Sequence, residues 1–461
     1  MKSCVRRKQL KYFNNFQFFG LLSTKGVGNL SKEISDVICP GCGVLCDDIK
    51  VNLKENEVIT NYNACTKGTA KFLDINANRL LKPTMKMNGT TKEVDLDTAI
   101  SKIAEILLNS ESPLLYGWSA TTCEAQRLGI LLAKELKGIV DSTSSFCHGV
   151  SLSALLENSW STATLGEVMN RADVIIYWGS NPIESHPRHM SRFTTVPRGI
   201  FRQAGKEERT VVVIDIRKTR TANIADRFLE VEPNRDFEII SVLRSLLNGY
   251  RPDKETVADL TLKEVNRLLE LIKEADFCAI FFGLGLLMSA GTYHNVSNLL
   301  SFVAELNQLT KVVAIPMIGH FNMIGHNHVS SWLTGFPYGV DFRRGYPMFN
   351  PGETTTAELL QKKEIDAMLC IASDPVSTLP YSLASYLKEI PLITMDRQMT
   401  PTTRISQIVV PVALSGIEVS GTAYRMDSVP LYMKSILTPP DGILSDEMIL
   451  QNLLELVKET K

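Results

Sequence analysis

A series of short apolar runs, each stopping at glycine, serine or aspartate, constrains this chain more than any other feature. Pro113-Leu-Leu-Tyr-Gly117 is one, and Asp173–Trp178, followed by Gly179-Ser180-Asn181, is another. Thr210–Ile214 ends in Asp215, Phe277–Phe282 in Gly283-Leu284-Gly285, Ala367–Ile371 in Ala372-Ser373-Asp374, and Leu392–Met395 in Asp396. Lys311–Ile315 and Gln407–Val412 read as further strands, as does the run Gly138-Ile139-Val140. Runs this short, bounded by turn residues, are buried strands. Helical patterns lie between them. Asp97–Asn109 places Ala99, Ile100, Ile103, Ala104, Ile106 and Leu107 on one face. Thr121–Lys137 offers Thr121 or Thr122 as N-cap and Glu124 in the first turn. Asp236–Leu247 is a third helix. Strand, loop and helix in repetition give an α/β chain built from Rossmann-like units.

Folds of this class bind ligands beyond the carboxyl ends of their strands, where loops supply backbone N–H groups. Gly179-Ser180-Asn181, Asp215, Gly283 with Gly285, and Ser373-Asp374 all fall there. That many such loops in one chain predict a large phosphate-bearing, nucleotide-like ligand, or two of them. A chain of 461 residues exceeds one compact core, so two or three domains are expected. A net charge of −1 argues against nucleic acid as a partner. The longest apolar stretch, Phe277–Ala290, is shorter than the roughly 18 residues a membrane span needs and carries Gly283 and Gly285.

Four of the nine cysteines lie between positions 39 and 65. This is a cluster and not a disulfide framework, which predicts a reducing, cytoplasmic setting. Cys39-Pro-Gly-Cys42-Gly-Val-Leu-Cys46 offers three thiolates from one turn. Cys65 closes the set from the far side of a hairpin, with strands over Ile49–Leu53 and Glu57–Thr60 around Lys54-Glu55-Asn56. Four thiolates suit tetrahedral zinc or a [4Fe–4S] cubane, and the single cysteine of the second half favours the cubane. Lys67 follows in Thr66-Lys67-Gly68, either as a solvated loop lysine or as a positive charge between this cluster and a second redox centre. Cys123, near a helix start, reads as a core cysteine.

A second constellation is Ser144-Ser145-Phe146-Cys147-His148-Gly149-Val150, a turn between the Gly138-Ile139-Val140 run and a helix over Ser151–Leu156. A thiolate here can bind a soft metal, with the imidazole within reach of whatever that metal binds. The alternative is a buried cysteine beside a capping histidine. Residues 1–32 carry Lys2, Arg6, Arg7, Lys8, Lys11, Lys25 and Lys32 and no acidic residue. A poorly ordered basic extension or a mis-assigned start is expected there in preference to a targeting peptide. Cys4, within it, has no evident partner.

These features occur in an order that resembles the molybdopterin oxidoreductases, the formate dehydrogenase-like superfamily, from about residue 36 to about 435. The order is the cysteine cluster, Cys65-x-Lys67-Gly68, Cys147-His148, Trp178-Gly-Ser-Asn-Pro182 and the Asp215 strand. Within the superfamily the chain is most similar to the B subunits of formylmethanofuran dehydrogenases. The local matches are Cys42-Gly-Val-Leu-Cys46-Asp-Asp-Ile49, Thr122-Cys-Glu-Ala125, Ser180-Asn-Pro-Ile-Glu-Ser-His186-Pro-Arg188, Gly335-Phe-Pro-Tyr338, Asp341-Phe-x-Arg344-Gly-Tyr-Pro347 and Asn350-Pro-Gly-Glu-Thr354.

The resemblance implies that Cys39, Cys42, Cys46 and Cys65 hold a [4Fe–4S] cluster. It implies that Cys147 ligates tungsten or molybdenum carried by two molybdopterin guanine dinucleotides, with His148 handling protons. Lys67 would lie between cluster and pterin. Ser180, Asn181, Asp215, Thr219, Gly283, Ser373, Asp374, Asp396, Glu418 and Gly421, with Thr422, Arg425 and Asp427, would hold guanine dinucleotide. The implied reaction is CO2 reduction to formate, which passes to a partner subunit for condensation with methanofuran. Alternatives are formate oxidation, or a non-catalytic scaffold in a formyltransferase/hydrolase-type complex. Implied partners are an amidohydrolase-like A subunit, a β-barrel D subunit, a C subunit and ferredoxin-like iron–sulfur subunits. Nucleic acid and membrane are not expected.

The implied organisation is a cluster domain over 33–88, an α/β pterin-binding domain combining 89–142 with 321–461, and a second such domain over 143–320. Two departures stand out. An arginine that family members carry before a Gly-x-x-Asn segment is replaced here by Ile318, in Pro316-Met-Ile-Gly-His-Phe-Asn322. Losing such a donor costs about 3 kcal/mol, roughly a hundredfold in rate; His320, His326 or Arg344 could compensate. The chain also ends in an amphipathic helix, Asp446–Lys458, where bis-pterin enzymes carry a β-barrel; in the resembling complex the D subunit supplies it.

Overall fold

The computed structural model describes residues 31–461. The basic extension expected over 1–32 therefore lies outside the described residues up to position 30, as does Cys4, and Lys32 opens the first strand. Parallel strands such as Pro113–Gly117, Val174–Trp178, Cys278–Phe282, Val312–Pro316 and Ala367–Ile371 are buried along their whole length. Continuous apolar runs of this kind require cover on both faces.

They assemble into two Rossmann-like sheets. One has the order Arg227–Glu230, Thr210–Asp215, Val174–Trp178, Cys278–Phe282, Val312–Pro316, all parallel. In chain order that is 3-2-1-4-5, so the order reverses between Val174–Trp178 and Cys278–Phe282. The other sheet has nine strands. Its parallel centre is Ile139–Ser142, Pro113–Gly117, Ala367–Ile371, Leu392–Asp396, Ile408–Pro411, which is 2-1-3-4-5 and reverses between Pro113–Gly117 and Ala367–Ile371. Antiparallel strands extend it at both edges. One of those edges is the hairpin of Thr84–Met87 and Thr90–Glu93, so residue 88 lies inside this sheet.

Helices cover the faces. Leu96–Leu108, Cys123–Leu136 and the terminal Asp446–Thr460 share one core with the nine-stranded sheet. Their starts are capped by side chains: Asp95 accepts from the Thr98 N–H at 2.8 Å, Thr122 from Ala125 at 3.4 Å and Ser445 from Met448 at 3.1 Å. Asp236–Leu247, Leu262–Lys273 and Tyr293–Leu306 cover one face of the five-stranded sheet.

The opposite face of that sheet receives the cysteine-bearing segment. Lys32–Val37, Ile49–Lys54 and Glu57–Tyr62 form an antiparallel sheet of three strands. Its hairpin turns at Glu55 and Asn56, with φ of 55° and 84°, both left-handed as a type I′ turn demands. Asn56 fastens the tip by donating to the Thr438 carbonyl and accepting from the Thr438 N–H. Val44, Cys46, Ile49 and Phe72 of this segment share a core with Ile175, Tyr177, Phe281, Ile315 and Ile318. Among the described residues, no helix is long and apolar enough to cross a membrane.

Candidate functional site

Loops that follow one strand from each large sheet meet at the site. Ile139–Ser142 runs into a 3-10 turn, Thr143–Phe146, with Cys147 at its end and His148 at the start of the helix Gly149–Glu157. From the other sheet, Val312–Pro316 runs into Met317-Ile318-Gly319-His320. His148 Nε2 lies 3.1 Å from the Met317 carbonyl. A carbonyl only accepts, so Nε2 carries the proton and Nδ1, 3.3 Å from Ser151 Oγ, is the basic nitrogen. The ring is 1% exposed, and burial pushes its pKa down to about 4. His148 is neutral at neutral pH.

Asp141 fixes the turn that carries Cys147. Its carboxylate accepts from the N–H of Ser142 (2.8 Å), Gly339 (3.0 Å) and Thr356 (2.8 Å) and from Thr356 Oγ1 (2.6 Å). Ser144 adds a bond to Asn327 Oδ1 at 2.8 Å. Cys147 is half-buried and free, and burial raises its thiol to about 11. Asp141 did not emerge from the sequence, although an acidic residue at a strand end directly before the Cys-His turn was visible there.

The same short loop receives two further contacts. His186 Nε2 donates to the Ile318 carbonyl at 2.7 Å, and the Gly43 N–H donates to the Gly319 carbonyl at 3.0 Å. Gly43 belongs to the cysteine turn. Cys39, Cys42, Cys46 and Cys65 line one pocket with Gly41, Val44, Leu45, Ile49, Ala64, Pro187 and Arg188. All four thiols are free. Cys65 sits at the N-cap of the helix Thr66–Leu73. A Cβ on Gly68 would lie 2.8 Å from Cys39 Sγ, so the glycine keeps room for the sulfur. Burial raises the Cys39, Cys42 and Cys46 thiols, that of Cys46 to about 12. Lys67 is exposed and donates to the Ser185 carbonyl at 3.1 Å.

The structure brings most of the expected nucleotide loops to the two carboxyl edges. Gly179, Gly283 and Gly285 interlock at the reversal of the five-stranded sheet, where a Cβ on Gly283 would meet the Gly179 carbonyl at 2.6 Å. Ser180 is buried beside them. Asp215 ends the neighbouring strand, half-buried, with its pKa raised by burial. Asp396 is likewise half-buried and accessible, and burial raises it to about 6. Ser373 and Asp374 follow the strand Ala367–Ile371.

Other expected contacts are taken up within the protein. Asn181 Oδ1 accepts from Thr221 Oγ1 at 2.7 Å, and Thr219 Oγ1 accepts from the Ala222 N–H at 3.2 Å. Asp374 binds Thr402 Oγ1 (2.5 Å) and Ser377 Oγ (2.6 Å). Glu418 forms a buried bidentate pair with Arg79 at 2.7 and 2.8 Å and accepts from the Leu414 N–H. Gly421 packs on Thr122, whose Cγ2 would lie 2.5 Å from an added Cβ, and Thr422 donates to Glu124. Arg425 and Asp427 pair with each other.

Ile318 is 1% exposed and packed in the core, so its polar offering to the site is its carbonyl. Of the residues that could stand in for an arginine, His320 is accessible and adjacent, and Arg344 lies exposed beyond Val340–Asp341. His326 is sealed in the interior, stacked at 6.4 Å on Trp118 with neither ring nitrogen bonded.

A model of the molybdopterin oxidoreductase family matches residues 79–456. The chain is 46% identical over 429 residues to the B subunit of the tungsten-containing formylmethanofuran dehydrogenase 2 of Methanococcus maripaludis, covering 92% of this chain and 99% of that one. It is 44% identical over 431 residues to the corresponding protein of Methanocaldococcus jannaschii, covering 93% and 99%. Among solved structures, the acetylene hydratase of Pelobacter acetylenicus superposes with a TM-score of 0.69 at 14% identity, over 92% of this chain and 70% of that one. A chain of the formyltransferase/hydrolase complex of Methylorubrum extorquens superposes with a TM-score of 0.67 at 20% identity, over 82% and 99%. These two likenesses concern the fold.

Proposed function

Because this chain belongs to the molybdopterin oxidoreductase family and, within it, to the formylmethanofuran dehydrogenase B subunits, we propose that it interconverts CO2 and formate at a tungsten or molybdenum site fed by a [4Fe–4S] cluster. One observation carries this reading. The loop Met317–His320 is bonded at three successive carbonyls by His148, His186 and Gly43, so the Cys-His turn and the four-cysteine pocket are built against the same four residues.

The donor sets fit the groups proposed for them. Four free thiols line one pocket. A cubane takes four such thiolates, one to each iron. The nucleotide fit rests on the glycine interlock and on Asp215, an acid at the strand end where Rossmann-like folds meet a ribose. When bound, the metal and its two pterin guanine dinucleotides would supply two-electron exchange with the substrate, and the cluster one-electron steps.

The residues themselves have defined tasks. Cys147 would hold the metal through Sγ as a thiolate, and burial opposes the loss of its proton. Neutral His148 takes a proton at Nδ1 and holds the other on Met317. Ser180, Asp215, Gly283, Ser373 and Asp396 shape the nucleotide sites, with Asn181, Thr219, Asp374, Glu418 and Gly421 holding the loops behind them. A cluster unit, two pterin-binding units and a barrel supplied by a separate subunit complete the arrangement. So do an amidohydrolase-like subunit that receives formate and iron–sulfur subunits that deliver electrons.

Ile318 favours one second reading, a scaffold subunit without turnover. The two readings part on viologen-linked formate oxidation by the assembled complex. The catalytic reading expects activity that Cys147→Ala abolishes and Ile318→Arg raises. Activity indifferent to Cys147→Ala would overturn it.

A further inference from the structure

The pocket of four cysteines and the Met317–His320 loop are spanned by one segment, Ser185–Arg192. Ser185 accepts from Lys67, and His186 holds Ile318. Two residues on, Arg188 lines the cysteine pocket itself. Its guanidinium forks onto Asp48 at 2.6 and 2.7 Å, with its side chain 20% exposed. Arg192 braces the same pair by reaching Asp48 at 2.5 Å and also Asp47. Asp47 and Asp48 directly follow Cys46, so the two arginines are held by the residues next to that cysteine in the chain. Arg188 and Cys46 line the same pocket.

We infer that Arg188 is a positioning residue that raises the reduction potential of the group held by Cys39, Cys42, Cys46 and Cys65, with Asp48 aiming it and offsetting part of its charge. The inference rests on the [4Fe–4S] reading. A cluster gains negative charge on reduction. A cation beside one of its thiolates stabilises the reduced state, and a carboxylate there does the reverse. The site is partly buried, so screening by solvent and salt is incomplete. A fork of two bonds on Asp48 keeps the guanidinium at one angle, which a lysine would not maintain.

A simpler role would be a clamp that fastens the cysteine segment to the rest of the protein. The two roles differ in sign. Breaking a clamp from either side has the same effect, whereas removing the cation and removing the anion shift a potential in opposite directions.

The test is a redox titration, followed by electron paramagnetic resonance, of the full chain purified anaerobically with its cluster. Arg188→Gln is expected to disfavour the reduced cluster about tenfold, ~59 mV for a one-electron couple. Arg188→Lys is expected to shift it less in the same direction, and Asp48→Asn to favour the reduced cluster. If Arg188→Gln does not retain iron, the opposed shifts of Arg188→Lys and Asp48→Asn decide. Shifts of the same sign, or none, overturn the inference while leaving the cluster in place. A wild-type chain that binds zinc or no metal overturns the cluster reading and this inference with it.

Discussion

Gly43 and Ile318 are in backbone contact: a Cβ on Gly43 would lie 2.3 Å from the Ile318 carbonyl oxygen. The cysteine turn and the loop at the end of Val312–Pro316 approach this closely because residue 43 has no side chain. The carbonyl that Gly43 touches is also the one that accepts from His186.

Gly43→Ala should therefore force the two loops apart. The expected cost is about 1–3 kcal/mol, as is usual for overpacking an interior contact. Thermal unfolding should show a clear drop. Gly319→Ala is the control, since nothing lies within 4 Å of its added Cβ. Equal effects at both positions would contradict the contact.

Asp141 predicts a defect at the metal turn. Each oxygen of its carboxylate accepts from two donors, so Asp141→Asn sets an NH2 group against two N–H or O–H groups in either orientation. Hydrogen bonds to a charged acceptor are each worth about 1.5–3 kcal/mol. The variant should lose stability on the order of 3 kcal/mol and retain less tungsten or molybdenum than wild type. Full metal retention would show that the turn does not depend on this anchor.

The Arg79–Glu418 pair is buried, with side chains 4% and 3% exposed. Removing one partner leaves a buried charge and costs about 3–5 kcal/mol, whereas replacing both by apolar residues costs far less. Arg79→Met should thus be poorly stable and Arg79→Met with Glu418→Leu largely restored, as read by urea midpoints. A double variant as weak as the single one would contradict this. It would instead assign Glu418 a role beyond the pair.

Asp446 predicts a pH dependence. It opens the terminal helix, is 2% exposed, and burial raises its pKa to about 7. An unfolded aspartate titrates near 3.9, so between about pH 4 and 7 the folded chain holds a proton that the unfolded chain has released. This stability is present at low pH and lost as pH rises to the folded value. Asp446→Asn should be more stable than wild type at pH 8, by on the order of 2–4 kcal/mol, with the gap closing toward pH 4. A gap independent of pH would mean that the carboxyl does not titrate there.

The strands were legible because apolar runs between turn residues have one reading. Pro113–Gly117, Thr210–Asp215 and Ala367–Ile371 lie where the sequence puts them, and Asp236–Leu247 does so among the helices. Strand order was not legible, because periodicity reports that a strand is buried and not which strand lies beside it. The site divides the same way. Cys39, Cys42, Cys46 and Cys65 could be grouped by spacing, and they line one pocket. The carbonyls of Met317, Ile318 and Gly319 could not be found, since a backbone acceptor leaves no mark in a sequence. Asp374 was assigned to a nucleotide by its place after a strand and Glu418 by the family resemblance, and their oxygens are engaged by Thr402 and Arg79. Polar side chains near a site carry no label that separates holding the loop from holding the ligand.

The most direct test of the central claim is element and nucleotide analysis of the anaerobically purified protein, co-produced with its partner subunits. The account predicts, per copy of this chain, about one tungsten or molybdenum and about two guanine nucleotides released by acid. It predicts about four irons in the cysteine pocket, lost together when Cys39 and Cys65 are replaced. Zinc in place of those irons, with no guanine nucleotide released, would contradict it.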